Sequence, residues 1–357
     1  MTQCTRAVSC HRIKLEIPVD QEDLSPDNFE LCRNIAANDT CESMGWVRRV
    51  EPRRVWDAFP FFNEVRVLKL RLHTLAPVMH RFVLAEATRT FSNESKPLHF
   101  GERVRDDAEL AYFLPQIEHV VIDNMPTASH WPFDREHHQR NALVRGLAQA
   151  EEDDLILVSD CDEIPDPHAI ELLRSCDGWD TTGPVRFYIR HYQWKFSFQF
   201  QTLKPHPQLA TVEWLAGARA RGQLQHLRYA SSMPSNLRLH DAGWHLSFFA
   251  DAEGVMRKMQ AYAHHQDFAQ SGIYNSSDDA AVARMRDAIA NGSDCVGNTC
   301  LYQPGVVGAL VDVSEALTSG DKCMRACARA HTHMTHDIHR SMASAPQFTQ
   351  ALCMDVF

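Results

Sequence analysis

Glycine is scarce, at 15 of 357 residues, and no G-x-G-x-x-G or Walker pattern follows any predicted strand. A glycine-built phosphate loop is therefore excluded as the means of holding a nucleotide. Positive charge is also in deficit: 36 Lys and Arg against 46 Asp and Glu give a formal charge of -10. That balance offers no general electrostatic attraction to nucleic acid. No apolar run reaches the length of a membrane span, and the opening MTQCTRAVSCHRIKLEIP lacks the apolar stretch of a signal peptide. Internal repeats and low-complexity tracts are absent as well. With 44% hydrophobic and 23% charged residues, the chain reads as a globular domain of enzyme size.

Cysteine is plentiful. The count of eleven is odd, so at least one thiol is free or intermolecular if the chain is oxidised. Sequons at Asn38, Asn93, Asn275 and Asn291 would be glycan acceptors in a secretory compartment.

Residues 1–53 lack clear periodicity and read as an irregular extension. In NEVRVLKLRLHTLAP, Val65, Leu68, Leu72 and Leu75 recur at helical spacing before Pro77. RFVLAEA, IEHVVID and DDLILVSD are short apolar runs of the kind that form buried parallel strands, and EHHQRNALVRGLAQA supplies a crossover helix before the third. This alternation predicts an α/β fold with a central sheet flanked by helices. Asp166 and Pro167 open a further helix, and GPVRFYIRHYQWKFSFQF reads as one or two strands of a mixed sheet. Helices are also expected in DAEGVMRKMQAYAHH and SSDDAAVARMRDAIANG.

The sharpest chemical feature is LILVSDCDEIP. Ligands of open α/β sheets bind beyond the carboxyl ends of strands, and in extended chain residues two apart share a side. Asp160 and Asp162 would then converge as a hard-oxygen site for Mn²⁺ or Mg²⁺, with Cys161 facing away. The plainer alternative is a solvated strand end. Arg135 and Arg140 bracket the crossover helix, where a guanidinium could reach a diphosphate or simply line a helix face. Tyr188, Tyr192, Trp194 and Phe196, at spacing of two, could stack on sugars or fill the core, as could Trp244.

The blocks VWDAFPFFNEVRVLKLRL, RFVLAEATRTFSNESKPLHF, QRNALVRGL, DDLILVSDCDEIP and GWHLSFFADAEGVMRKMQAYAHHQDF occur in this order across about residues 55–270. Together they resemble glycosyltransferase family 17. The resemblance implies a GT-A (Rossmann-like) fold, expected to occupy residues 54–290; the Cys/His-rich segment 291–357 lies outside the resemblance and is expected to pack on that domain as an extension. It further implies an inverting transferase moving N-acetylglucosamine from UDP-GlcNAc in β-1,4 linkage to a mannose-containing glycan or glycoprotein. Asp160 and Asp162 map onto the family's D-x-D, with His245 implied as a third metal ligand. Glu86, Thr88 and Thr90 fall where the nucleotide is received, unless they form a strand-end turn. For removal of the acceptor proton Glu163 is the first candidate, with Asp241 and Glu213 in reserve. The family's setting is the Golgi or secretory lumen.

Two other functions use the same residues: a metal-dependent phosphoesterase or sugar-nucleotide hydrolase, and a silent sugar-binding protein. Separately, Cys323, Cys327 and His331 share a helical face near His333, His336 and His339, so a zinc site is conceivable there, as is a Cys295–Cys300 pair.

Overall fold

The computed structural model describes residues 32–34, most of 38–263, 279–291 and 310–312. The strands are β1 (Cys32–Asn34), β2 (Val47–Arg48), β3 (Val55–Pro60), β4 (Arg81–Ala87), β5 (Ile117–Ile122), β6 (Leu155–Val158), β7 (Glu163–Pro165), β8 (Cys176–Asp177), β9 (Val185–Gln193), β10 (Phe198–Lys204), β11 (Gln208–Thr211), β12 (Leu237–Ser247) and β13 (Leu310–Asp312). The helices are α1 (Val65–Leu75), α2 (His99–Arg103), α3 (Ala108–Phe113), α4 (Asp134–Ala142), α5 (Pro167–Ser175), α6 (Val212–Ala216), α7 (Leu224–Arg228), α8 (Ala252–Ala261) and α9 (Asp279–Asn291).

One large mixed sheet runs in the order β1-β12-β9-β11-β6-β3-β4-β5, with β7, β10 and β13 attached to its side. β6, β3, β4 and β5 are mutually parallel, whereas β11 is antiparallel to both β6 and β9. The three apolar runs expected as parallel strands are β4, β5 and β6. Between β4 and β6 lies β3, VWDAFP, which the sequence reading did not mark as a strand. At six residues with the single charge of Asp57, it is no shorter or more polar than β5.

Placing β3 centrally gives the order β5-β4-β3-β6, in which the chain winds outward and then returns to add β6 on the other side of β3. A switch point such as this one between β3 and β6 is where the ligand crevice of an open α/β sheet forms, at the carboxyl ends of the strands. Alternate residues feed two cores. Val55, Phe59, Leu155 and Leu157 face one side with α1 and α5, while Trp56, Ala58, Ile156 and Val158 face the other with α4, α6 and α7. Both faces are dry, which is why these strands read as continuous apolar runs.

The other edge of the crevice is set by β12. Its pairing with β9 shifts register between His240 and Trp244, and Gly243 there has φ +147°. A Cβ on Gly243 would meet the carbonyl oxygen of Ile164 at 2.5 Å, so only glycine lets β7 lie against β12. That pairing sets Glu163 beside His245.

Candidate active site

The SDCDE segment is a hydrogen-bonded turn rather than extended chain. The Glu163 amide donates to the Asp160 carbonyl at 3.0 Å, and the Asp160 amide donates to Glu163 Oε2 at 2.9 Å. The turn sends Cys161 into the core, 3% exposed, and buries Asp162 nearly as far, 6% exposed, while the Asp160 side chain is 37% exposed. Arg71 of α1 holds this shape from beneath. Its Nη1 donates to the carbonyls of Asp160, Cys161 and Glu163 at 3.1, 3.2 and 2.7 Å, while Nε and Nη2 grip Asp57 of β3.

Asp160 sits between two guanidiniums from the opposite face. Arg140 Nη2 donates to Oδ1 and Arg228 Nη2 to Oδ2, each at 2.9 Å. Burial opposes ionisation of Asp160, but Arg228 and Arg140 outweigh it and hold the carboxyl well below its usual range. Arg228 also reaches Glu163 Oε1 at 2.8 Å, and Arg140 reaches Glu136 at 3.0 Å. Asp162 is served differently: Lys258 Nζ donates to Oδ2 at 2.9 Å, and His245 Nε2 lies 3.5 Å from Oδ1. Here too the carboxyl is held low, burial being overcome by Lys258 and then His245. The His245 ring stacks on His191 at 4.6 Å, which fixes its plane.

The donors suit a hard divalent cation in kind, and Asp162 Oδ1 and His245 Nε2 are close enough to share one ion. Among the described residues no three His, Cys, Asp or Glu side chains gather into a complete metal site. Ion pairs of 2.8–3.0 Å join Glu64, Glu136, Asp160, Asp162 and Glu163 to Arg140, Arg228 and Lys258, five acids to three cations, with His245 and Lys204 as further basic groups nearby.

A profile described as Glycosyltransferase family 17 matches residues 27–299, with this turn and His245 inside the match. The chain belongs to glycosyltransferase family 17. It is similar to the beta-1,4-mannosyl-glycoprotein 4-beta-N-acetylglucosaminyltransferases of Rattus norvegicus and Homo sapiens, at 28% identity over 285 residues in each case. The matches cover 72% of this chain and 51% and 52% of those proteins, so the chain spans about half the length of the curated relatives it matches.

In this family 17 chain, several residues singled out from the sequence have structural duties. Glu86 is wholly buried and accepts from Lys96 and the Phe100 amide beside His119. Thr88 Oγ1 donates to the Ile122 carbonyl at the end of β5, while Thr90 Oγ1 accepts from the Glu94 amide within the following turn. Arg135 donates to the carbonyls of Phe91, Pro126 and Thr127. Arg140 is 1% exposed and acts on Asp160. Glu163 is 2% exposed with both oxygens engaged, which leaves it poorly placed as a base. Glu213 lies off the far end of β6, its amide bonded to Glu152. Asp241 sits in the β12 register shift, 43% exposed at the side chain and paired with Arg190. Tyr192, Trp194 and Phe196 are core, while Tyr188 stacks on His240 and Trp244 packs against the core.

Cys41 and Cys176 form a disulfide that ties residues 38–48 to β8, and Cys161 is a buried free thiol. The C-terminal Cys/His group and the Cys295–Cys300 pair lie outside the described residues. The residues missed from sequence were Arg71, Asp57, Arg228, Lys258 and His191. Asp57 alone is a single charge in an otherwise apolar strand; Arg71, Arg228, Lys258 and His191 stand among other polar residues of their elements.

Proposed function

We propose that this chain is a GT-A-type transferase moving N-acetylglucosamine from UDP-GlcNAc to a mannose-containing glycan or glycoprotein. The observation that carries the reading is the acid-rich turn at the carboxyl end of β6, beside the switch point between β3 and β6. Family membership and the names of the relatives favour this chemistry over hydrolysis.

Asp162 and His245, with Asp160 beside them, would hold a Mn²⁺ or Mg²⁺ ion. When bound, such an ion supplies electrostatic stabilisation of a departing diphosphate. Arg71 fixes the turn, Arg140 and Arg228 aim Asp160, and His191 orients His245. Asp241 would take the acceptor proton after release from Arg190, since its side chain is 43% exposed while Glu163 is buried. Attack opposite the leaving diphosphate inverts the α-linked donor to a β-linked product. The Cys41–Cys176 disulfide suits an oxidising compartment such as the secretory lumen.

The test is to incubate the protein and Mn²⁺ with UDP-GlcNAc, UDP-glucose or GDP-mannose, with and without mannose-containing N-glycans. Transfer from UDP-GlcNAc supports the proposal. Rapid release of UDP that ignores the acceptor would make the protein a hydrolase instead.

A further inference from the structure

Lys258 spans the crevice. Its Nζ lies 2.9 Å from Asp162 Oδ2 beyond β6 and 2.9 Å from Glu64 Oε1 beyond β3, so one ammonium bridges the two strand ends that define the switch point. Glu64 is itself anchored, its Oε2 accepting from the amides of Phe62 and Asn63 at 3.2 and 3.1 Å. The lysine arrives from α8, whose start is fixed by Asp251 capping the Gly254 amide at 2.7 Å. Two of the three ammonium donors are used by carboxylates, and the side chain retains 23% exposure. Burial works against its charge, yet Asp162 and Glu64 prevail and keep the ammonium protonated well beyond neutral pH.

A compact cation held by two acids at the mouth of a ligand crevice, with one donor spare, suits a phosphate oxygen. We propose that Lys258 contacts the diphosphate of the nucleotide ligand, waiting on Asp162 and Glu64 until the phosphates arrive. The assignment rests on the nucleotide-sugar reading above and adds a residue the D-x-D pattern does not contain. It separates the phosphates, which Lys258 would bind, from the nucleoside, which it would not.

The experiment measures binding of UDP and of uridine by the full chain in buffer with EDTA, for the unaltered protein, Lys258→Met and Lys258→Arg. Circular dichroism checks that each variant is folded. UDP should weaken roughly tenfold or more in Lys258→Met, the size of effect expected when one cation leaves a phosphate. Uridine should hold within about twofold, and Lys258→Arg should recover part of the UDP loss because it keeps the charge. Unchanged UDP affinity in a folded Lys258→Met overturns the assignment, as does an equal loss for UDP and uridine, which would mark a purely structural lysine. If the unaltered protein binds UDP only with Mn²⁺ restored, the same three proteins are compared in that buffer; an unaltered protein that binds neither compound, in EDTA or with Mn²⁺, would overturn the nucleotide-sugar reading and this assignment with it.

Discussion

Arg71 and Asp57, both with fully buried side chains, face each other across α1 and β3, and the same guanidinium holds the backbone of the acidic turn. A salt bridge without solvent is rarely a net source of stability, but breaking one strands a charge. Arg71→Met should therefore cost about 3–5 kcal/mol in urea unfolding. The double change Arg71→Met with Asp57→Val should regain part of that stability. It should not regain activity, because the carbonyls of Asp160, Cys161 and Glu163 would still lack their donor. A double variant with full turnover would show that the turn needs no such support.

Acid should act through histidines that desolvation keeps neutral, His191 and His206 foremost. His191 is 1% exposed, packed between Phe200 and His245, and neither ring nitrogen has a hydrogen-bond partner. Burial, then His245, pushes its pKa well below the ordinary value. The unfolded chain takes up a proton near pH 6.5 that the folded chain refuses, so folding stability falls as pH drops below about 6.5. Asp160 and Asp162, held low, add a further loss only below about pH 4, where unfolded carboxylates protonate. Urea unfolding between pH 5 and 8 should show this slope, and His191→Phe should flatten it in part. An equal slope in the variant would place the titration elsewhere.

The Cys41–Cys176 bridge closes a loop with a sequence separation of 135 residues. Loop-closure entropy for that length corresponds to about 3–5 kcal/mol. Replacing both cysteines with alanine should lower the melting temperature, and reductant should no longer shift it. A double variant that melts like the unaltered protein would mean the bridge contributes nothing.

In the sequence, α1 was readable from apolar residues at helical spacing and β6 as an unbroken, fully buried apolar run, and Asp166 gave the start of α5 through its cap. β4 and β5 were readable despite Arg81, Glu86 and Glu118, whereas β3 was missed although it holds one charge, Asp57, neutralised by Arg71, 14 positions away. Asp160 and Asp162 stood out as paired acids at a strand end. Arg228 and Lys258 did not, since their partners lie 68 and 96 residues off and no local spacing announces such contacts. The buried partners of Glu86 and Arg135 were equally illegible: Lys96 and the Phe100 amide for the one, three loop carbonyls for the other.

The central claim is that the turn at Asp160 and Asp162 carries turnover, and the most direct measurement is N-acetylglucosamine transfer by Asp160→Asn and Asp162→Asn. Each change keeps side-chain shape while removing a charge, so both variants should fold. Transfer should fall by roughly 100-fold or more, as when one electrostatic stabiliser is lost, and Mn²⁺ binding should weaken, most for Asp162→Asn. Cys161→Ala, a change inside the core, should lower stability by about 1 kcal/mol and leave turnover near normal. Folded asparagine variants that retain near-normal, chelator-sensitive transfer would contradict the account.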